Sequence, residues 1–275
     1  MNISNVRTAP TLVTSADGTR IAVFGSDEGR PLVLVPGTSA DHTTWGLVAP
    51  LLAPHFAVRA VDRRGRGASG DGPDYALERE YEDVAAVVDA EAARWGGPVD
   101  LLGHSYGGNV AFGATLLTSC VRRLVMYEGW PMPDIEDRTT SPEILAELDA
   151  LLASGQREAM MEAFFRRIVH YSDDEIETVK AAPSWPGRVA SAHTVPREIR
   201  AFGEQAFDPA QAARIGIPVL LLVGGTSPEA IQGRPREVAA ALPDARIVEL
   251  EGQGHMANIT APELTARVLR EFLRD

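Results

Sequence analysis

The chain has 275 residues, 45% of them hydrophobic and 23% charged, enough to bury a full core as one domain with an insertion or equally as two domains, and ordinary for a soluble globular protein. A net charge of −12 opposes a polyanionic backbone and argues against nucleic acid as a partner. No apolar run approaches the roughly 20 residues a membrane helix needs, and the single cysteine, Cys120, excludes an internal disulfide or a cysteine-rich metal site.

The first residues, "MNISNVRTAPTLVTSADG", lack a basic start followed by an apolar stretch, so a cytoplasmic location is the expectation. Short apolar runs then read as strands at 19–25, 31–37, 56–62, 98–104 and 122–129, each ending in Gly, Asp or another polar breaker. Helical patterns lie between them near 43–53, 77–95 and 105–118. This alternation predicts an α/β fold, with a mostly parallel central sheet covered by helices on both faces. From 130 to 208 no segment resembles a buried strand, whereas "PEILAELDALLAS" and "REAMMEAFFRRIVHY" carry apolar residues at helical spacing. A helical insertion at 130–208 is therefore expected, splitting a core made of 1–129 and 209–275. Strands resume with "IPVLLLVGG" and "ARIVEL", separated by a helix near 232–241, and an amphipathic helix closes the chain.

In an open α/β sheet, ligands bind beyond the carboxyl ends of the strands, so chemistry is sought there. After "PVDLL" comes "GHSYGG", a G-x-S-x-G pattern between a strand and a helix. Its glycines permit a tight turn that exposes Ser105 at a helix N-terminus, where backbone N–H groups favour developing negative charge. A serine hydroxyl needs a base. Of the six histidines, His255 in "EGQGHMAN" follows a strand and a glycine turn, and it comes after the serine in the chain.

These segments resemble the α/β-hydrolase fold superfamily, in its esterase and haloperoxidase-like branch with a helical cap, over nearly the whole length. "VDRRGRGASG" is similar to its D-x-R-G-x-G-x-S segment, and "LVPGTSADHTTW" to its oxyanion loop. The resemblance implies a Ser105 nucleophile and a His255 base, with the backbone N–H groups of Thr38 and Tyr106 as the oxyanion hole. It implies no cofactor, and no metal-ligand motif is present. Pro36 departs from the histidine usual in relatives, yet proline removes only its own N–H and leaves that of Thr38.

The resemblance also implies an aspartate near the tip of the loop after "IPVLLLV", where Ser227 stands. Three readings remain open: Glu128, directly after the strand "RRLVMY", as some families of this fold carry their acid; Glu229, two residues past Ser227; or no acid at all. Glu128 is the expectation, its alternative role being an ion pair with Arg63 or Arg64. Trp45, Trp130, Phe164, Trp185 and His193, with Met132, Met160, Met161 and Phe165, are candidates to line a pocket, although a cap must also bury its own apolar face. The expected function is hydrolysis of a small or medium apolar carboxylic ester, or related acyl compound, through an acyl-enzyme. The same residues would serve C–C bond hydrolysis, thioester cleavage, lactonisation or perhydrolysis, and a non-catalytic binding protein on this scaffold is the reading from another class. The oligomeric state is not legible.

Overall fold

Four strands are buried at every residue: β3 (Pro31–Val35), β4 (Ala57–Asp62), β5 (Val99–His104) and β7 (Val219–Gly224). Strands buried on both faces need cover on both, and the computed structural model, which describes residues 9–131, 140–204, 207–232 and 234–274, supplies it. With β1 (Thr11–Thr14), β2 (Arg20–Gly25), β6 (Val121–Tyr127) and β8 (Ala245–Leu250), these strands form one sheet in the order β1-β2-β4-β3-β5-β6-β7-β8. β1 and β2 pair antiparallel, and every pair from β4 to β8 is parallel.

Alternate side chains of the central strands point to opposite faces and divide the core in two. Val33, Leu101, Leu124 and Leu221 pack on one side with the helices Leu77–Trp95 and Tyr106–Thr115. Leu32, Leu102, Val125 and Leu220 pack on the other side with the closing helix Pro262–Leu273.

The expected mostly parallel α/β architecture is present, with two local differences. β1 was not foreseen, because "TLVT" is a four-residue edge strand of half-exposed residues that carries no apolar signature. The pattern read as one helix at 43–53 is a 3₁₀ turn, His42–Trp45, followed by a single short helix, Ala49–Leu52. Between β6 and β7 the described chain is helical: Pro142–Ala153, Arg157–Arg167, Asp173–Ala181, Trp185–Ala190, Val195–Glu204 and Pro209–Ala212, with one 3₁₀ turn. These inserted helices bury a third cluster, including Leu148, Met160, Met161, Phe164 and Trp185, which also takes in Met256 beside His255. No described helix is long and apolar enough to cross a membrane.

Candidate active site

Strand register sets the site. His104, the last residue of β5, lies opposite Tyr127, the last of β6, so Ser105 and Glu128 leave the sheet side by side. Ser105 takes φ 56° and ψ −132°, a conformation that costs a side-chain-bearing residue roughly 1–3 kcal/mol and is held by its surroundings. Its N–H donates to the Tyr127 carbonyl at 2.8 Å, and its carbonyl accepts from Gly108 N–H at 2.8 Å. The turn also needs Gly107, where a Cβ would fall 2.4 Å from the Val35 carbonyl oxygen and 2.5 Å from that of Pro36. Ser105 makes no side-chain capping bond to the helix it precedes, which leaves its hydroxyl uncommitted to a helix-cap role.

Glu128 also sits at positive φ, 43°, with its side chain fully buried. Its Oε2 accepts from His255 Nδ1 at 2.7 Å, and its Oε1 accepts from Gly224 N–H and Ser227 Oγ at 2.6 Å each. Burial pushes this carboxyl up, but the bonds from His255, Ser227 and Gly224 outweigh it and hold the group below its usual range. Arg63 and Arg64 are engaged elsewhere, with Glu80 and Glu198 and with Asp83 and Asp17 respectively, so neither is the partner of Glu128. Glu229 begins the short helix Glu229–Gln232, and its side chain lies outside the described residues.

Because Nδ1 of His255 donates to Glu128, Nε2 is left as the basic nitrogen. Two buried residues that sequence reasoning did not assign hold this histidine. His104 Nε2 donates to the His255 carbonyl at 2.7 Å, and burial, with His255 nearby, keeps the His104 ring neutral. The Tyr127 hydroxyl donates to the Gly254 carbonyl and accepts from Ala257 N–H at 3.0 Å. Their one sequence signal is position, at the ends of the strands that carry Ser105 and Glu128.

The segment after β3 turns tightly, with Ala40 N–H donating to the Gly37 carbonyl at 3.2 Å and Ser39 at φ 62°. Arg63 Nη2 donates to the same carbonyl at 3.1 Å, and a Cβ on Gly37 would meet that of Ser105 at 2.9 Å. Thr38 thus follows a residue packed on Ser105, while the Tyr106 side chain is buried and bonded to Tyr75 at 2.9 Å between hydroxyls. Pro36 is buried without distorting β3.

The residues expected to line a pocket separate. Trp45 is buried edge-on to His104, with ring centres 6.3 Å apart, whereas Trp130 belongs to the core cluster on the Val33 side of the sheet. Phe164, Trp185, Met160, Met161 and Phe165 form the interior of the inserted helices. His193 is exposed and is not brought to the site, and Met132 lies outside the described residues. A groove of about 490 Å³ lined by Thr115, Leu117, Arg214 and Ile217 lies at the amino-terminal ends of β6 and β7, away from this chemistry. Asp41, His42 and Asp62 are the only described trio with metal-ligand spacing, but they are already engaged. Asp62 binds His42 N–H at 2.8 Å, His42 Nδ1 at 2.7 Å and Ala68 N–H at 2.8 Å, and Asp41 caps Thr43 N–H at 2.9 Å.

Comparison with known proteins agrees with this architecture. N-formylmaleamate deformylase of Pseudomonas putida is 29% identical over 244 residues, which is 83% of each chain. An alpha/beta hydrolase from Sphaerobacter thermophilus superposes with a TM-score of 0.81 at 39% identity, covering 95% of this chain and 99% of that one. An esterase from Rhodococcus sp. shares the fold, with a TM-score of 0.76 at 23% identity over 98% and 99% of the two chains. The sequence profile of the Alpha/beta hydrolase family matches residues 32–268, and the chain belongs to that family.

Proposed function

We propose that the protein is a serine hydrolase that cleaves a small or medium carboxylic ester, or a related acyl compound, through an acyl-enzyme. Ser105 Oγ attacks the acyl carbonyl while His255 Nε2 takes its proton. The same nitrogen returns the proton to the leaving group, and water then resolves the acyl-enzyme. Glu128 holds the His255 tautomer and stabilises the imidazolium. The N–H groups of Thr38 and Tyr106 receive the developing oxyanion, each worth about 3–4 kcal/mol of transition-state stabilisation. Residues 1–129 and 209–275 act as the catalytic core and 130–208 as its cap. No cofactor enters these steps.

The observation that carries the reading is the 2.7 Å bond between Glu128 and His255 Nδ1, formed beside a serine in a strained turn. It argues against the reading as a pure binding scaffold, which has no need of a buried carboxylate aligned on a histidine. A fluorophosphonate probe tests it: labelling of wild type that disappears in Ser105→Ala is the expected result. Folded wild type that stays unlabelled overturns the proposal. Cleavage of an acyl C–N bond is a second reading, favoured by the similarity to N-formylmaleamate deformylase, and an amide panel beside the ester panel separates the two.

A further inference from the structure

Five arginines are buried among the described residues, and four of them are neutralised by carboxylates. Arg59 pairs with Glu91 at 2.6 Å, Arg63 with Glu198 at 2.8 Å, Arg64 with Asp83 at 2.7 Å, and Arg66 with Glu198. Arg188, on the inserted helix Trp185–Ala190, is the exception. Only 3% of it is exposed, and no described carboxylate lies within 4.0 Å of its guanidinium. Asp41 acts on it electrostatically from further away, with one carboxylate oxygen turned to Thr43.

The acceptors of Arg188 are all neutral. Nη1 donates to the Thr38 carbonyl and to Ser39 Oγ, both at 3.3 Å, and Nη2 donates to Thr44 Oγ1 at 3.2 Å. A guanidinium has five N–H donors, so Nε–H and one Nη2–H remain, and Nε has no acceptor. Nε and Nη2 share one edge of the planar group, the fork that fits a carboxylate with two parallel bonds. Burial draws the Arg188 pKa down to about 10, which leaves the group charged at neutral pH. A buried cation with no carboxylate in direct contact is costly, and each of the other four arginines avoids that cost.

Position gives the unpaired edge a meaning. The guanidinium is bonded to Thr38, whose N–H is the candidate oxyanion donor. Beside it the Tyr171 hydroxyl is also buried without a hydrogen-bond partner. The Tyr171 ring stacks on Phe165 with centres 5.4 Å apart, and Arg188 lies over the same Phe165 at 5.8 Å. Both Arg188 and the Glu128 carboxylate act electrostatically on Tyr171. Burial raises its pKa well above the ordinary value, so its hydroxyl stays a donor.

We infer that Arg188 and Tyr171 form a carboxylate-binding subsite, and that the acyl compound cleaved at Ser105 carries a free carboxylate a short chain from its scissile carbonyl. This rests on the serine hydrolase reading, narrows its carboxylic ester to a mono-anionic one, and departs from the apolar substrate that the sequence led us to expect. The subsite fixes the acid end of the substrate while the oxyanion donors receive the reacting carbonyl. The guanidinium thereby gains the counter-charge that its four counterparts already have.

The test compares kcat/KM for the monoethyl and diethyl esters of succinate, glutarate and adipate. Wild type prefers a half-ester, and Arg188→Met lowers the half-ester to diester ratio about a hundredfold, as expected when one partner of a buried charge pair is removed. Tyr171→Phe, which deletes one oxygen, lowers the same ratio about tenfold. A wild type that prefers every diester, or a ratio that neither variant changes, overturns the inference, because a strut holding the Thr38 segment would depress both substrates alike. If circular dichroism shows Arg188→Met unfolded, Tyr171→Phe and inhibition of wild-type diester hydrolysis by the free dicarboxylates decide. Absence of both effects overturns the subsite. Fluorophosphonate labelling of Ser105 with no ratio effect sinks the subsite alone, whereas no labelling sinks the hydrolase reading beneath it.

Discussion

Ser227 donates to Glu128 Oε1 at 2.6 Å, so the loop position from which an aspartate reaches the histidine in relatives here supports the carboxylate instead. Glutamate suits this arrangement because it must span from β6, across the end of β7, to the histidine loop after β8. Glu128→Gln preserves shape but not charge, and kcat/KM is expected to fall about 10³–10⁴-fold. Moving the acid offers a sharper check. In a Glu128→Ser background, Ser227→Asp returns a carboxylate to the same cluster, and at least about tenfold of the lost rate is expected back. Activity that does not rise in the double variant would show that the loop backbone is no longer placed for an acid. Glu128 also leaves a pH signature. Its folded pKa lies below the usual 4.5, so the unfolded chain binds its proton first as pH falls. Its stabilisation is complete above the unfolded value and is lost as pH drops through the folded one. Urea unfolding from about pH 6 to about pH 3 is therefore expected to show a shallower stability loss in Glu128→Gln than in wild type.

At the scale of elements, the inserted helices are fastened to the sheet by charge as well as by apolar packing. Glu198, fully buried on the helix Val195–Glu204, accepts from Arg63 Nη2 at 2.8 Å and from Arg66, and both arginines also reach the Gly37 carbonyl, at 3.1 and 3.4 Å. One carboxylate from the insertion therefore tensions the segment that carries Thr38. Removing its charge leaves Arg66 without a carboxylate and Arg63 with only Glu80. Glu198→Gln is expected to cost about 3–5 kcal/mol in chemical denaturation, and to lower kcat more than KM because the segment proposed to hold the oxyanion loosens. Wild-type stability in this variant would mean that the apolar contacts alone hold the helix. The pattern of Met160, Phe164 and Phe165 was legible as helical because apolar residues recurred at helical spacing. That such side chains pack on one another followed from the need of a helical insertion to bury its own apolar face, whereas the exposure of His193 was not legible.

For the whole molecule, a charge of −12 spread over one α/β body opposes the compact state through self-repulsion. Its buried pairs are shielded from salt, so screening acts mainly on that repulsion: the Debye length falls from about 30 Å at 0.01 M to about 8 Å at 0.15 M ionic strength. Tm is expected to rise over this interval, and a fall would show that exposed attractive pairs such as Arg200 with Asp149 dominate. The sequence alone determined the architecture, because buried parallel strands must be apolar throughout and helices must repeat near 3.6 residues, and both patterns are local. It also placed Ser105 and His255 at strand ends, since a glycine-lined turn is a local motif, and it named Glu128 by its place after β6. Tertiary structure alone decided what depends on distances between remote segments. It chose His255 as the partner of Glu128 over Arg63 and Arg64, made Ser227 a support, and set His104 and Tyr127 under the histidine loop. It also left Arg188 as the one buried arginine without a carboxylate among the described residues. Which charges end up adjacent is a property of strand order and register, and no single stretch of chain encodes it.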